Sequence, residues 1–330
     1  MSDLLKVFKF VFIGLILWII YSQMIHGSGL EALRSSLEAN RQKWNYSFLI
    51  ICFVLMPLNW IMESKKWQIL MSPHTDIPFI KALKTVLAGI AVGITTPARI
   101  GEYGGRLLTS APDQKLQVVS ATLLGSIAQN LCNVVAGLVF SYFFLKSAFN
   151  VTYGNSFTFI TIVTLQIVLF VIVYYNLPKV AHFIEKIIGT KYAGKYSSKL
   201  KSLHLYQSKS LHYVLIISAI RYSLYFTQYV CMMKFLGVEA TMPELSGSIA
   251  GIYLIQTGIP LPAFLSIFAR GELAIFVWSG LGVDQVTALV ATFVLWFINL
   301  ILPAMAGLMV LFNTDLVKYF NKKQNNESSF

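Results

Sequence analysis

Charge is scarce in this sequence: only 12% of its 330 residues are Asp, Glu, Lys or Arg, and 14 of them are acids. With 56% hydrophobic residues and a mean hydropathy of +0.66, that scarcity excludes an ordinary soluble domain. Cysteine is scarce too. Cys52, Cys132 and Cys231 all fall within apolar segments and share no metal-ligand spacing, so neither a disulfide framework nor a zinc site is implied. The five histidines are scattered, none pairs with a Glu at motif distance, and Ser/His/Asp catalysis has no support. Gly189-Thr190-Lys191-Tyr192-Ala193-Gly194-Lys195 nearly spells a phosphate-binding loop. Tyr196 stands where Ser or Thr would hold magnesium, however, and no strand–loop–helix context surrounds it. No catalytic, metal or nucleotide motif is left, so neither an enzyme nor a bound cofactor is expected.

Long apolar runs are what the chain has. A bilayer-crossing helix needs roughly 20 such residues, and runs at about 7–25, 44–62, 116–145, 157–175, 211–236 and 284–313 qualify as spans. No small-residue cleavage site follows Tyr21, so the first is expected to stay uncleaved. Residues 28–43 set Leu30, Leu33 and Leu37 opposite Glu31, Arg34, Glu38 and Arg41, a pattern for a helix on the membrane surface. Two shorter pieces, 79–95 and 245–258, are broken by Thr95-Thr96-Pro97 and by Gly258-Ile259-Pro260-Leu261-Pro262. They predict re-entrant hairpins over 79–108 and 245–275, because irregular backbone at membrane depth is tolerated only where protein or a cavity surrounds it. The expected fold is an all-α polytopic membrane protein, one integral membrane domain over 1–330. It has about six full spans plus two re-entrant helical hairpins.

The net charge of +12 would suggest nucleic acid in a soluble chain. Here the lysines gather in loops, above all in 176–210, where Lys179, Lys186, Lys191, Lys195, Lys199, Lys201 and Lys209 face a lone Glu185. Anionic inner-leaflet lipids are the expected partners of that loop, and nucleic acid is not. The positive-inside rule places both termini, 63–78 and 176–210 in the cytosol, with 146–156 and 237–243 outside the plasma membrane.

Residues 44–145 and 211–313 share a layout. Each has a span, a connection ending in proline (Pro78, Pro243), a broken hairpin, a charged cluster and a long span with amides in its middle. Asn130 follows Glu102, and Asn299 follows Glu272, at nearly the same distance. Under the topology above the copies are inverted in the membrane, a recurrent plan for secondary transporters.

Each copy carries ionisable residues deep in apolar sequence, where they usually mark a substrate or ion path. In the first, Thr96-Pro97 forms a helix start, and Arg99, Glu102 and Arg106 then share one face. Gly101, Gly104 and Gly105 between them would let another backbone approach. Arginine in a first helical turn opposes the macrodipole unless an anion sits there, and phosphate is a natural candidate. A structural ion-pair network, Glu102 with Arg106 or with Arg99, is the competing reading, and the two are compatible if one pair holds the hairpin while Arg99 faces substrate. In the second copy Arg270 and Glu272 are two apart and do not share a helix face. Arg221, in the fifth span, either snorkels to the inner interface or faces a cavity.

Thr96-Pro97-Ala98-Arg99-Ile100-Gly101-Glu102 through Arg106, with Gly258-Ile259-Pro260 and Arg270-Gly271-Glu272, resembles the flippase-like family, the transmembrane region of lysylphosphatidylglycerol synthases. In the second motif Ala263–Ala269 fills a place where the family tends to be glycine-rich, and Gly271 splits the Arg-Glu pair. The resemblance implies movement of a charged-headgroup lipid between leaflets. With about 17 residues beyond the last predicted span, the soluble aminoacyl-transfer domain of two-part members is expected to be absent. The expected function is a lipid translocase for a phosphate-headgroup lipid, either a phospholipid or a polyprenyl-phosphate carrier. Arg99, Glu102, Arg106, Arg270, Glu272, Asn130 and Asn299 are its candidate substrate residues. The alternatives are a membrane-embedded lipid-linked glycosyl or aminoacyl transferase, or an accessory subunit that binds a partner enzyme. A second copy of the chain is a further candidate partner.

Overall fold

The computed structural model describes residues 44–94, 96, 99–149, 156–177, 206–258 and 266–312, and every regular element among them is helical. The expected first span, the surface helix at 28–43, most of the basic loop and the second break at 259–265 lie outside these residues.

Helix α1, Tyr46–Met71, starts where the Asn45 side chain accepts from the Ser47 N–H at 3.1 Å. It runs well past residue 62, where the sequence predicts the span to end. In the Glu63-Ser64-Lys65-Lys66 run only Lys65 is exposed, so these charges belong to a buried helix face and not to a connection. Helix α2, Phe79–Gly93, and the short α3, Gly101–Leu108, form the first hairpin. The long α4, Lys115–Phe149, and the apolar α5, Ser156–Tyr175, follow. Helix α6 is Ser208–Phe235, α7 is Met242–Gly258 and α8 is Ser266–Ser279. The last, α9, covers Gln285–Phe312, is capped by Asp284 and contains a π turn at Phe297–Ile301. Among the described residues, α1, the Lys115–Phe140 part of α4, α6 and α9 are long and apolar enough to cross a membrane.

Glycine sets the closeness of the first hairpin. A Cβ on Gly105 would collide with the Ala88 carbonyl, and one on Gly101 with that of Val92. The two glycines are four residues apart, so they line one face of α3 and admit α2 against its backbone. Gly104 faces open space, so it does not share the role expected of it.

The long helices pack crosswise between the two halves. Helices α1 and α6 run antiparallel, with Cys52 beside Gln228 and Asn59 beside Arg221. Helix α7 leans on α4 through Asn133 and Thr257 (3.1 Å), and α2 leans on α9, where Gly307 meets Leu87. Each hairpin therefore rests on the long span of the other half, the pattern that a two-fold relation between 44–145 and 211–313 produces.

Two apolar cores result. One gathers Trp67, Leu70, Met71, Val86, Leu124 and Val214; the other gathers Cys52, Met232, Met233, Ile249, Trp278 and Ile298. In lipid, apolar burial drives helix association weakly, so tight packing and polar contacts carry the specificity. The polar contacts lie between the cores, where Asn59 and Glu63 on α1 meet Arg221 on α6.

Candidate functional site

Asn59, Glu63 and Lys66 recur at helical spacing, so they form one polar stripe on α1. Glu63 is its centre. Its Oε2 lies 2.7 Å from Lys66 Nζ and also accepts from Arg221 Nη1, while Oε1 accepts from Arg106 Nη2 at 2.9 Å. Lys66 Nζ donates to the Gly125 carbonyl at 3.2 Å. Arg221 uses its whole fork: Nε donates to Asn59 Oδ1 at 2.8 Å, Nη1 also to Gln129 Oε1 at 3.0 Å, and Nη2 to the Tyr225 hydroxyl at 3.1 Å. Arg106 lies over the Trp67 ring, 4.7 Å from its centroid, and donates to Glu102 Oε1 at 3.1 Å. Helices α1, α3, α4 and α6 are thereby tied through one carboxylate that serves three cations. Geometry of this quality is what offsets the several kcal/mol that each buried ion costs in lost hydration.

The sequence-predicted residues divide between this layer and other places. Glu102 and Arg106 belong to the layer, paired at i and i+4. Arg99 stands at its edge, with Nη2 3.6 Å from Glu102 Oε1 and a side chain 45% exposed. It does not occupy the first turn of a helix that starts at Pro97, because α3 begins only at Gly101. Thr96 still works at the break: its hydroxyl accepts from the Gly101 N–H at 2.7 Å and donates to the Gly93 carbonyl at 3.2 Å, bridging α2 and α3. Arg99 itself has φ +58°, the left-handed region that side chains avoid. Strain of this kind gathers at functional sites.

On α8, Glu272 is exposed and turned from Arg270. Arg270 Nε is buried with no hydrogen-bond partner, and no carboxylate pairs with Arg270 among the described residues. Asn299 lies in the π turn of α9 with a buried, unpartnered Oδ1. Asn130 is exposed, whereas the adjacent Gln129 bonds Arg221. Read from the sequence, Glu63 opens the 63–78 connection, and Glu102 and Glu272 are the candidate acids. Glu63 is deeper than either, and the helical spacing of Asn59, Glu63 and Lys66 was the signal for it.

Four cations (Lys66, Arg99, Arg106 and Arg221) thus surround two carboxylates in a layer between two cores, open at the edge where Arg99 stands. The class these features define is a polytopic α-helical membrane protein with an ionic layer beside a broken hairpin. Within that class, the chain belongs to the family of the lysylphosphatidylglycerol synthase TM region, which it matches over residues 6–307. That family is a membrane domain of lipid-modifying or lipid-translocating proteins. Among curated proteins, none matches the chain.

Proposed function

We propose that this chain is a lipid translocase of the plasma membrane, moving a lipid with a phosphate headgroup between leaflets, with both termini in the cytosol. The cation excess at the hairpin break carries this reading. Arg99 is half exposed, strained and only loosely paired, while Glu102 is already held by Arg106 at the shorter distance. A planar guanidinium offers phosphate oxygens two parallel charge-assisted hydrogen bonds. A polar layer between apolar cores lets a headgroup pass where lipid tails alone would not. No nucleotide motif occurs in the sequence, so movement in this reading runs downhill or is coupled to an ion.

The test uses purified protein in phosphatidylcholine vesicles holding tail-labelled phosphatidylglycerol or phosphatidic acid, with an impermeant reductant reporting the accessible leaflet. Arg99→Gly is the informative variant. It relieves left-handed strain of roughly 1 kcal/mol and adds chain entropy to the unfolded state worth roughly 0.5–1 kcal/mol, so stability should change little. Lipid movement is expected to fall to the protein-free background. Wild-type movement of both lipids by Arg99→Gly would remove Arg99 from the headgroup site.

A further inference from the structure

Of the three cations that meet Glu63, Arg106 and Arg221 keep their protons, because a guanidinium is not deprotonated in proteins. Lys66 is the one that can give its proton up, and two counts at its Nζ favour that state. The first is of hydrogens. An ammonium carries three N–H donors, and among the described residues Nζ meets two acceptors, Glu63 Oε2 at 2.7 Å and the Gly125 carbonyl at 3.2 Å. A neutral amine has two N–H groups, one for each. The second count is of charge. Lys66, Arg106 and Arg221 are largely buried against two carboxylates, Glu63 and Glu102, while Arg99 is half exposed and open to solvent. With Lys66 protonated the buried part of the layer holds one surplus positive charge, and with Lys66 neutral it holds none. Glu63 remains an anion in both states, since Arg106 and Arg221 each donate to it. The helices packed on α1 supply no further acid. From α2 the charged residues are Lys81 and Lys84, both exposed, and the π turn of α9 has none. Helix α4 brings the Gly125 carbonyl and, beyond it, the Cys132 thiol, which donates to the Leu215 carbonyl at 3.8 Å. Helix α6 brings Arg221 with its Tyr225 partner.

An anionic headgroup reverses that balance. Buried charge is tolerated where it is compensated, and the positive charge that a protonated Lys66 adds is the one a phosphodiester entering the layer requires. We infer that Lys66 is a proton-binding site, neutral while the layer is empty and protonated while an anionic headgroup occupies it, so that one proton crosses with each lipid. On loading, the Nζ lone pair takes a proton from water on the side of entry. On release the N–H bond breaks, the electron pair stays on nitrogen, and the proton passes to water on the other side. The pair moves without net charge, from the acid side to the alkaline side. This rests on the translocase reading and names the ion coupled to it.

The test places the purified full-length protein in phosphatidylcholine vesicles whose outside is about one pH unit more acid than the inside. Tail-labelled phosphatidylglycerol is the probe, an impermeant reductant reports the outer leaflet, and protein-free vesicles give the background. Wild-type protein is expected to draw phosphatidylglycerol to the alkaline inner leaflet, toward an inner-to-outer ratio of about ten, the equilibrium for one proton per lipid across that gradient. Tail-labelled phosphatidylcholine, which has no net charge, is expected to show no such excess. Lys66→Met, never charged, and Lys66→Arg, never neutral, are both expected to lose the accumulation; should one fail to fold, the other decides. Phosphatidylglycerol that moves faster than background yet evens out between the leaflets overturns the proton site and leaves the translocase reading standing. Accumulation retained in either folded variant overturns Lys66 as the carrier. An equal excess of phosphatidylcholine overturns the charge argument. Wild-type movement of phosphatidylglycerol at the background rate overturns the translocase reading itself, and the proton site with it.

Discussion

Replacing Glu63 by Gln should destabilise this protein far more than the same change at Glu102, although the sequence points to Glu102. Glu63 neutralises Lys66, Arg106 and Arg221, all largely buried; Glu102 neutralises Arg106, which keeps Glu63, and Arg99, which is half exposed and open to other solvation. Gln retains one acceptor but turns an amide donor toward the other cations. Breaking a buried pair costs about 3–5 kcal/mol, whereas a half-exposed pair contributes about 0–1 kcal/mol. At roughly 2–4 °C per kcal/mol, Glu63→Gln should lower Tm by about 6–20 °C and Glu102→Gln by only a few degrees. The chain supplies its own reporter. Cys52 and Cys231 are buried free thiols and Cys132 is partly buried, so a thiol-reactive fluorogenic dye reads unfolding directly. Adding Arg221→Gln to Glu63→Gln removes one stranded cation and should recover part of the loss. A Glu102→Gln protein that melts below Glu63→Gln would refute the placement of Glu63 at the centre of the layer.

The hairpin and the topology give two further predictions. Gly105→Ala forces a methyl group into the Ala88 carbonyl and should cost about 1–3 kcal/mol as overpacking, while Gly104→Ala meets open space and should melt like wild type. Equal melting of the two by the dye assay would show that α2 and α3 are not in backbone contact. Cysteines introduced at Asn150 and Lys195 should react with impermeant thiol reagents from opposite sides of the membrane. Labelling of both from one side would contradict the cytosolic placement of the basic loop.

Helical spacing made part of the site legible in the sequence. Glu102 and Arg106 at i and i+4 pair as local geometry allows, and the break after Ile94 follows from Thr96-Pro97. Glu63 was hidden because Glu63-Ser64-Lys65-Lys66 looks like the polar end of a span. Only the facing residues of α3 and α6 show that three of those four positions are buried. On α4, matching amides by their distance from Glu102 selected Asn130, but the stripe Gly125, Gln129, Asn133 and Gly137 is the one that meets the neighbouring helices. One residue is about 100° of helix rotation, and a match by distance alone ignores that phase. Arg99 in left-handed backbone could not be foreseen either, since the sequence around it offers no glycine at that position.

The crosswise packing also bears on how the protein is made. The groove of α2 around Leu87 and Ala91 is closed by Gly307, more than 200 positions further along the chain, and Arg221 reaches Glu63 only once α6 has been synthesised. While the ribosome works through the middle of the message, the first half sits in the bilayer with an open groove and a carboxylate lacking one of its three partners. Any product released before α9 emerges keeps that groove bare. The ribosome must therefore reach the last helix before the first half is complete, and surveillance of half-made membrane proteins has an exposed Leu87–Ala91 surface to detect until it does.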